Sequence, residues 1–165
     1  MGKLKNLKKA PFEIATLLAG NNKIKQLLYS DSKQALSETV NVSIEQLIED
    51  EYINFSSITS TGIQDMKVNT FISILLEDFT FSSDSTPVSG AIYVCTDSKH
   101  QSLENHKIRL LELVDEIEST LGDAKISSAG KIRITHASYT VFSEFRMGYR
   151  ISIQLVDQEN RKAEL

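Results

Sequence analysis

The stretch from Glu144 to Val156, E-F-R-M-G-Y-R-I-S-I-Q-L-V, decides the fold. Apolar side chains hold the odd positions Phe145, Met147, Tyr149, Ile151, Ile153 and Leu155. Arg146, Gly148, Arg150, Ser152 and Gln154 alternate with them. A strand sends successive side chains to opposite faces, so this run makes one apolar face and one polar face. A helix would scatter the same residues around its circumference. The stretch predicts a long strand in a sheet whose first face is buried and whose second meets water or a partner.

Working outward, Lys131 to Thr135 alternates with Ile132 and Ile134 inward. It leads through Tyr139 to Phe142 and Ser143 into the deciding strand. Another strong strand spans Met66 to Phe81, with Val68, Thr70, Ile72, Ile74 and Leu76 on one face and Phe71 and Leu75 on the other. Phe79 and Phe81 break that parity, which predicts a bulge near Glu77-Asp78. Gly90 to Thr96 is nearly continuous in apolar residues and predicts a central strand covered on both faces. Between these two strands lies a loop, Ser82 to Ser89, rich in Ser, Asp and Pro.

Helical periodicity marks Leu103 to Leu121 as the one long helix, with Ser102 as its cap and Gly122 as its end. Leu103, Leu110, Val114, Ile117 and Leu121 form its inner stripe, widened by Ile108, Leu111 and Leu113. Arg109, Glu112, Asp115, Glu116 and Glu118 are placed outside. Earlier in the chain, Pro11 suits a first helical turn, and Ile14, Leu17, Leu18, Ile24, Leu27 and Leu28 carry helical spacing across Gly20-Asn21-Asn22. Ser43 with Gln46 marks a further short helix, followed by a short strand near Ile53. The sum is an α+β fold, a mostly antiparallel sheet with one long helix and shorter N-terminal helices on one face.

The chain has 165 residues, 41% hydrophobic and 24% charged, which fits a single domain over residues 1–165. A basic N-terminal arm covers about 1–11 and a polar tail about 158–165. The net charge of -4 gives no global attraction to nucleic acid. Lys3, Lys5, Lys8 and Lys9 nevertheless crowd the start, as a solvated terminus or as an arm for phosphates or an acidic partner. Cys95 is the one cysteine, so no intrachain disulfide forms. No window reaches the roughly 18 apolar residues of a membrane span, and no membrane partner is expected.

No catalytic constellation is legible. His100, His106 and His136 lack metal-ligand spacing with one another or with Cys95, and there is no phosphate-binding glycine loop or nucleophile elbow. No catalytic, cofactor-binding or metal residue is therefore assigned. Glu77-Asp78 reads as a solvated strand end. The aromatics Phe79, Phe81, Tyr139, Phe142 and Phe145 gather near strand ends, where they suit core packing or a subunit interface.

Several phrases in this order resemble a family of small tailed-phage proteins, the tail terminators or tail-completion proteins of the neck. They are N-K-I-K-Q-L-L-Y (Asn22 to Tyr29), F-I-S-I-L-L-E-D-F (Phe71 to Phe79), A-I-Y-V-C-T-D, the helix L-E-N-H-K-I-R-L-L-E-L-V-D-E-I, G-K-I-R-I-T, and E-F-R-M-G-Y-R-I-S-I. The resemblance covers roughly residues 20 to 156. It implies an α+β subunit that forms a ring, commonly of six copies, on the last ring of the tail tube. Such a ring stops tube polymerisation and receives the head connector, a stopper or an adaptor, with genomic DNA passing through its centre. No reaction is catalysed, no cofactor is needed, and the protein belongs to the virion.

On that reading Ser83, Asp84, Ser85, Thr86 and Pro87, with Phe79, Phe81, Tyr139 and Phe142, are the expected contacts with neighbouring copies or the tube. Lys3, Lys5, Lys8, Lys9, Arg146 and Arg150 are expected to face DNA or a partner. Rival readings are another neck component, such as an adaptor, a stopper or the tube protein itself, and a small α+β enzyme or ligand-binding protein.

Overall fold

A computed structural model describes residues 4–57, 62–63, 65–80 and 88–156. α1 (Leu4–Leu7) and α2 (Ala10–Ala19) open the chain, with Pro11 in the first turn of α2, where its missing N–H costs nothing. α3 (Asn22–Tyr29) begins at Asn21, whose Oδ1 accepts the backbone N–H groups of Lys23 and Ile24 at 2.9 and 3.2 Å. Ser43 caps α4 (Ile44–Glu49) by accepting the N–H of Gln46 at 3.1 Å. The capping box is only half made, because the Gln46 amide donates forward to Asp50 at 2.6 Å.

The sheet is built from β1 (Ile53–Asn54), β2 (Thr70–Phe79), β3 (Val88–Asp97), β4 (Lys125–Ile126), β5 (Gly130–Val141) and β6 (Arg146–Val156). Its order is β1-β2-β3-β6-β5-β4. The β1–β2 pair is parallel and every other pair antiparallel. The deciding strand and the nearly continuous apolar run, β6 and β3, are the two central strands. The β2–β3 register slips between Leu76 and Asp78, so Glu77 is the bulge that the parity change requires. A second slip lies between Ile134 and His136 in β5.

α2, α3 and the long helix α5 (Arg109–Leu121) cover one face of the sheet. Ile72, Ile74, Ile92, Val94, Ile151 and Ile153 from the strands meet Ile14, Leu18, Leu27, Leu110, Leu113 and Ile117 from the helices, all at most 1% exposed. Burial of this kind contributes roughly 1.5–3 kcal/mol per large apolar side chain.

The opposite face is not uniformly wet. At the end of the sheet where β2 begins, Phe71 and Cys95 are buried with Ile63 and Val68 in a second, smaller cluster. Burial pushes the Cys95 thiol up to about 12.

Three expectations are corrected. The long helix starts at Arg109, not near Leu103. Asn105 and His106 adopt left-handed backbone (φ 57° and 61°), which a continuing helix excludes, and Ser102 bridges to Ile108 instead of capping. Arg109 does not lie on the outer side of the helix, because it is fully buried, whereas Ile108 and Leu111, expected inside, are 43% and 48% exposed. The basic start is not a free arm from residue 4 onward. Leu7 and Ala10 anchor it in the core while Lys5, Lys8 and Lys9 remain exposed.

Candidate assembly surfaces

Two arginines hold the scaffold from inside. Arg109 donates Nε to the carbonyl of His100 (2.7 Å), Nη1 to Leu27 (2.5 Å) and Ser30 (2.7 Å), and Nη2 to Ser32 (2.9 Å). It thus collects carbonyls left open where α3 ends and ties that end to α5. Burial lowers its pKa, opposed by the nearby Asp31 and Glu38. Arg146 donates Nη1 to the Val68 carbonyl (2.9 Å) and Nη2 to that of Met66 (3.1 Å), with its guanidinium 5.9 Å from the Phe71 ring centroid. The expectation that Arg146 faces DNA or a partner is corrected. It is 9% exposed, and its donors are committed to the segment that covers Phe71 and Cys95.

The uncovered face of the sheet carries a connected polar group across three strands. Register places Tyr93 beside Ser73 and Arg150. The Tyr93 hydroxyl donates to Glu77 Oε1 (3.1 Å) and accepts from Arg150 Nε (3.2 Å). Arg150 also binds Glu77 Oε2 directly and donates Nη1 to Ser152 Oγ (2.5 Å). Burial opposes the Arg150 charge, but Tyr93 and Glu77 together raise its pKa. Arg150 therefore stays on the open face, as the alternation requires, with its charge matched by Glu77. Glu77, read from sequence as a solvated strand end, is the acid of this network.

Phe142 packs edge-on to Tyr93 at 6.2 Å and lies over Gly148, where an added Cβ would stand 2.7 Å from the Phe142 ring and 1.8 Å from the Val94 carbonyl. Phe142 is thus half-buried and engaged within its own chain. Tyr139, by contrast, is 55% exposed, although it stacks edge-on with Tyr149 at 5.7 Å. It shares the helix-side face of β5 with Val141 (64% exposed), and Phe145 follows in the turn (56%). The helices do not reach this corner of the sheet.

At the diagonally opposite corner, Phe79 ends β2 at 36% exposed. With Phe55, Leu7, Pro11, Leu75 and Leu76 it lines an apolar cleft of about 340 Å³, with Lys8 on its wall. The chain thus offers an apolar projection at one corner and an apolar recess at the other. Phe81, the loop residues Ser83 to Pro87 and Lys3 lie outside the described residues. Sequence periodicity missed the exposed Val141 and the recess, because both depend on where the helices stop.

Elsewhere the charges are structural. Glu116 is held below the usual carboxylate range by Lys23, at 2.8 Å, and by the Asn21 amide. Burial works against the Glu13 charge, but hydrogen bonds from Ser127 and Ser128 outweigh it and lower its pKa, joining α2 to the β4–β5 turn. Among the described residues no group of His, Cys, Asp and Glu could hold a metal ion, and no helix is long and apolar enough to cross a membrane.

This is an α+β chain whose distinctive surfaces, among the described residues, are its two apolar corners. Comparison with family models places it in a phage-derived class. Residues 21–155 match the model of the YomW family, and the chain belongs to that family. No curated protein sequence matches it.

Proposed function

We propose that the protein is a structural component of the phage neck, a tail terminator that forms a ring, caps the tail tube and joins it to the head connector. The observation that carries this reading is the pair of unlike apolar surfaces at opposite corners of one sheet, the Tyr139–Val141–Phe145 projection and the recess beside Phe79. A subunit with two different sticky surfaces assembles head to tail, and such contacts close into a ring when the rotation allows. Membership of a phage-derived family and the tail-terminator resemblance support the same reading.

The partners on this reading are other copies of the chain, commonly six in a ring, the tail-tube protein below, and the connector, stopper or adaptor above. Genomic DNA crosses the lumen. The protein works by shape and contact in the virion, without catalysis or cofactor. Lys5, Lys8 and Lys9 are the exposed cations of the described N-terminus that remain candidates for DNA or partner contact.

The test is to mix purified protein with polymerising tail-tube protein and follow tube length by electron microscopy. Short capped tubes with a ring at one end are expected. Tubes of unchanged length, with no density added at either end, would refute the proposal.

A further inference from the structure

We infer that the apolar corner of one copy, Tyr139, Val141 and Phe145, seats in the recess beside Phe79 of the next copy, where Lys8 of the second meets Glu144 of the first. This rests on the ring reading and deepens it by naming the contact. The contact is made by side chains alone, so β1 stays on β2 and β4 stays on β5.

The corner is already held in shape within one chain. Tyr139 packs edge-on to Tyr149 at 5.7 Å. In the turn between β5 and β6 the Phe142 N–H donates to the Arg146 carbonyl (2.9 Å), and the Phe145 carbonyl accepts the Ser98 N–H (2.8 Å). Phe145 therefore stands outside on a fixed backbone, which lowers the ordering cost of a contact. α5 extends the same apolar surface. Asn21 holds Glu116 and Thr120 on the flank toward α3. Leu111, about 140° around the helix from Glu116, lies on the flank toward β5 and is 48% exposed.

Charge selects the occupant of the recess. Lys8 is the one charged residue among those that line it. It is exposed and makes no ion pair among the described residues, and the exposed Lys5 and Lys9 flank it in the chain. Glu144, at the tip of the corner, is exposed and equally without an ion pair there; Lys99, next to Ser98, does not bond to it. An apolar tip carrying one unmatched acid thus fits an apolar recess carrying one unmatched cation. Complementary charge at the rim fixes orientation, and the apolar centre supplies the burial.

The placing of the two surfaces carries the contact from copy to copy. Phe79 traces through Val88 to Leu155, whereas Tyr139 pairs with Tyr149. The corners therefore lie about 20 Å apart along the strands and about 14 Å apart across them. Each added copy is displaced along that diagonal, and a rotation axis perpendicular to it keeps successive copies at one height. A head-to-tail contact of this kind closes into a ring instead of stopping at a dimer.

The test uses full-length variants at exposed positions, with mass in solution measured by light scattering and the fold checked by circular dichroism. Wild-type protein is expected to form a closed multimer. Lys8→Glu and Glu144→Lys each keep the native spectrum and associate about tenfold or more weakly, because like charges then face each other. The double variant, with both charges exchanged, recovers the multimer. Phe145→Ser removes the apolar tip and weakens association by about tenfold or more while both charges remain.

A wild-type monomer at all concentrations, single variants with wild-type mass, or a double variant that stays dissociated would each overturn the contact. Rings that obey this charge pattern yet fail to shorten tubes leave the contact standing and remove the terminator reading. Rings that ignore it yet cap tubes do the reverse.

Discussion

Replacing Arg109 by methionine tests the most heavily bonded side chain in the core. The guanidinium is fully buried and faces four carbonyls, those of Leu27, Ser30, Ser32 and His100, without a carboxylate hydrogen-bonded to it. A hydrogen bond from a charged donor contributes about 1.5–3 kcal/mol, so four would sum to roughly 6–12 kcal/mol. Taking the cation out of water costs several kcal/mol and offsets much of that sum. Methionine removes the desolvation cost along with the bonds, but it strands the carbonyls at the end of α3. The expected net loss is about 3–5 kcal/mol, a large part of the 5–15 kcal/mol that holds a typical domain. At roughly 2–4 °C per kcal/mol for a chain of this size, the melting temperature falls by roughly 6–20 °C. Urea denaturation followed by circular dichroism measures the loss. Amide exchange in α3 and the loop after it should accelerate more than in β3. Arg109→Lys keeps the charge but offers three donors from one point, so it restores less than half. A methionine variant within about 1 kcal/mol of wild type, with α3 exchange unchanged, would show that the carbonyls find other partners and that the clamp contributes little.

Four further outcomes are expected. Ile151→Asp places a carboxylate at a site 1% exposed in the centre of the core and should leave the chain unfolded or aggregated in expression trials; a soluble, cooperatively melting variant would contradict the burial of β6. Gly148→Ala drives a methyl group into the Val94 carbonyl and the Phe142 ring, and should cost about 1–3 kcal/mol in urea titrations. Cys95, with its thiol pushed up to about 12, should resist a thiol-specific dye at pH 8 in the folded protein and react at once in denaturant; equal rates in both states would place it at the surface. Glu116 and Glu13 are held below their ordinary value of 4.5, so their stabilisation is full above that pH and disappears as pH falls through their lower folded values. Glu116→Gln should flatten that acid limb of the stability curve, and an unaltered slope would remove Glu116 from it.

Periodicity reads faces well, and that is why the strands were legible. Every odd position from Met147 to Leu155 lies on the helix-covered face of β6, and the parity break at Glu77 marks a real bulge. Capping was legible at Asn21 and Ser43 because a short polar side chain next to an apolar repeat has a local task. Arg109 was misread because its charge placed it outside. Three of its four carbonyl partners lie more than 70 positions earlier, and only the tertiary fold brings those carbonyls from residues 27–32 to one guanidinium. Arg146 shows the same limit. Alternation put it on the right face, but not under the segment ending at Val68 that removes that end of the face from solvent.

Edges are harder to read than faces. A strand's side chains show which way each residue points, whereas its place in the sheet depends on pairings across the whole chain. β5 looks like an ordinary half-buried strand in sequence. Only the order β1-β2-β3-β6-β5-β4, with both outermost strands two residues long, shows that β2 and β5 each have one side largely without a strand partner among the described residues. A two-residue strand satisfies too little backbone to close a ladder of ten or twelve residues. Ala137, Tyr139 and Val141 stand exposed along β5 where the helices stop short of the sheet. The short flanking strands and the exposed corner at Tyr139 and Val141 are thus set by strand pairings and helix positions that no local pattern encodes.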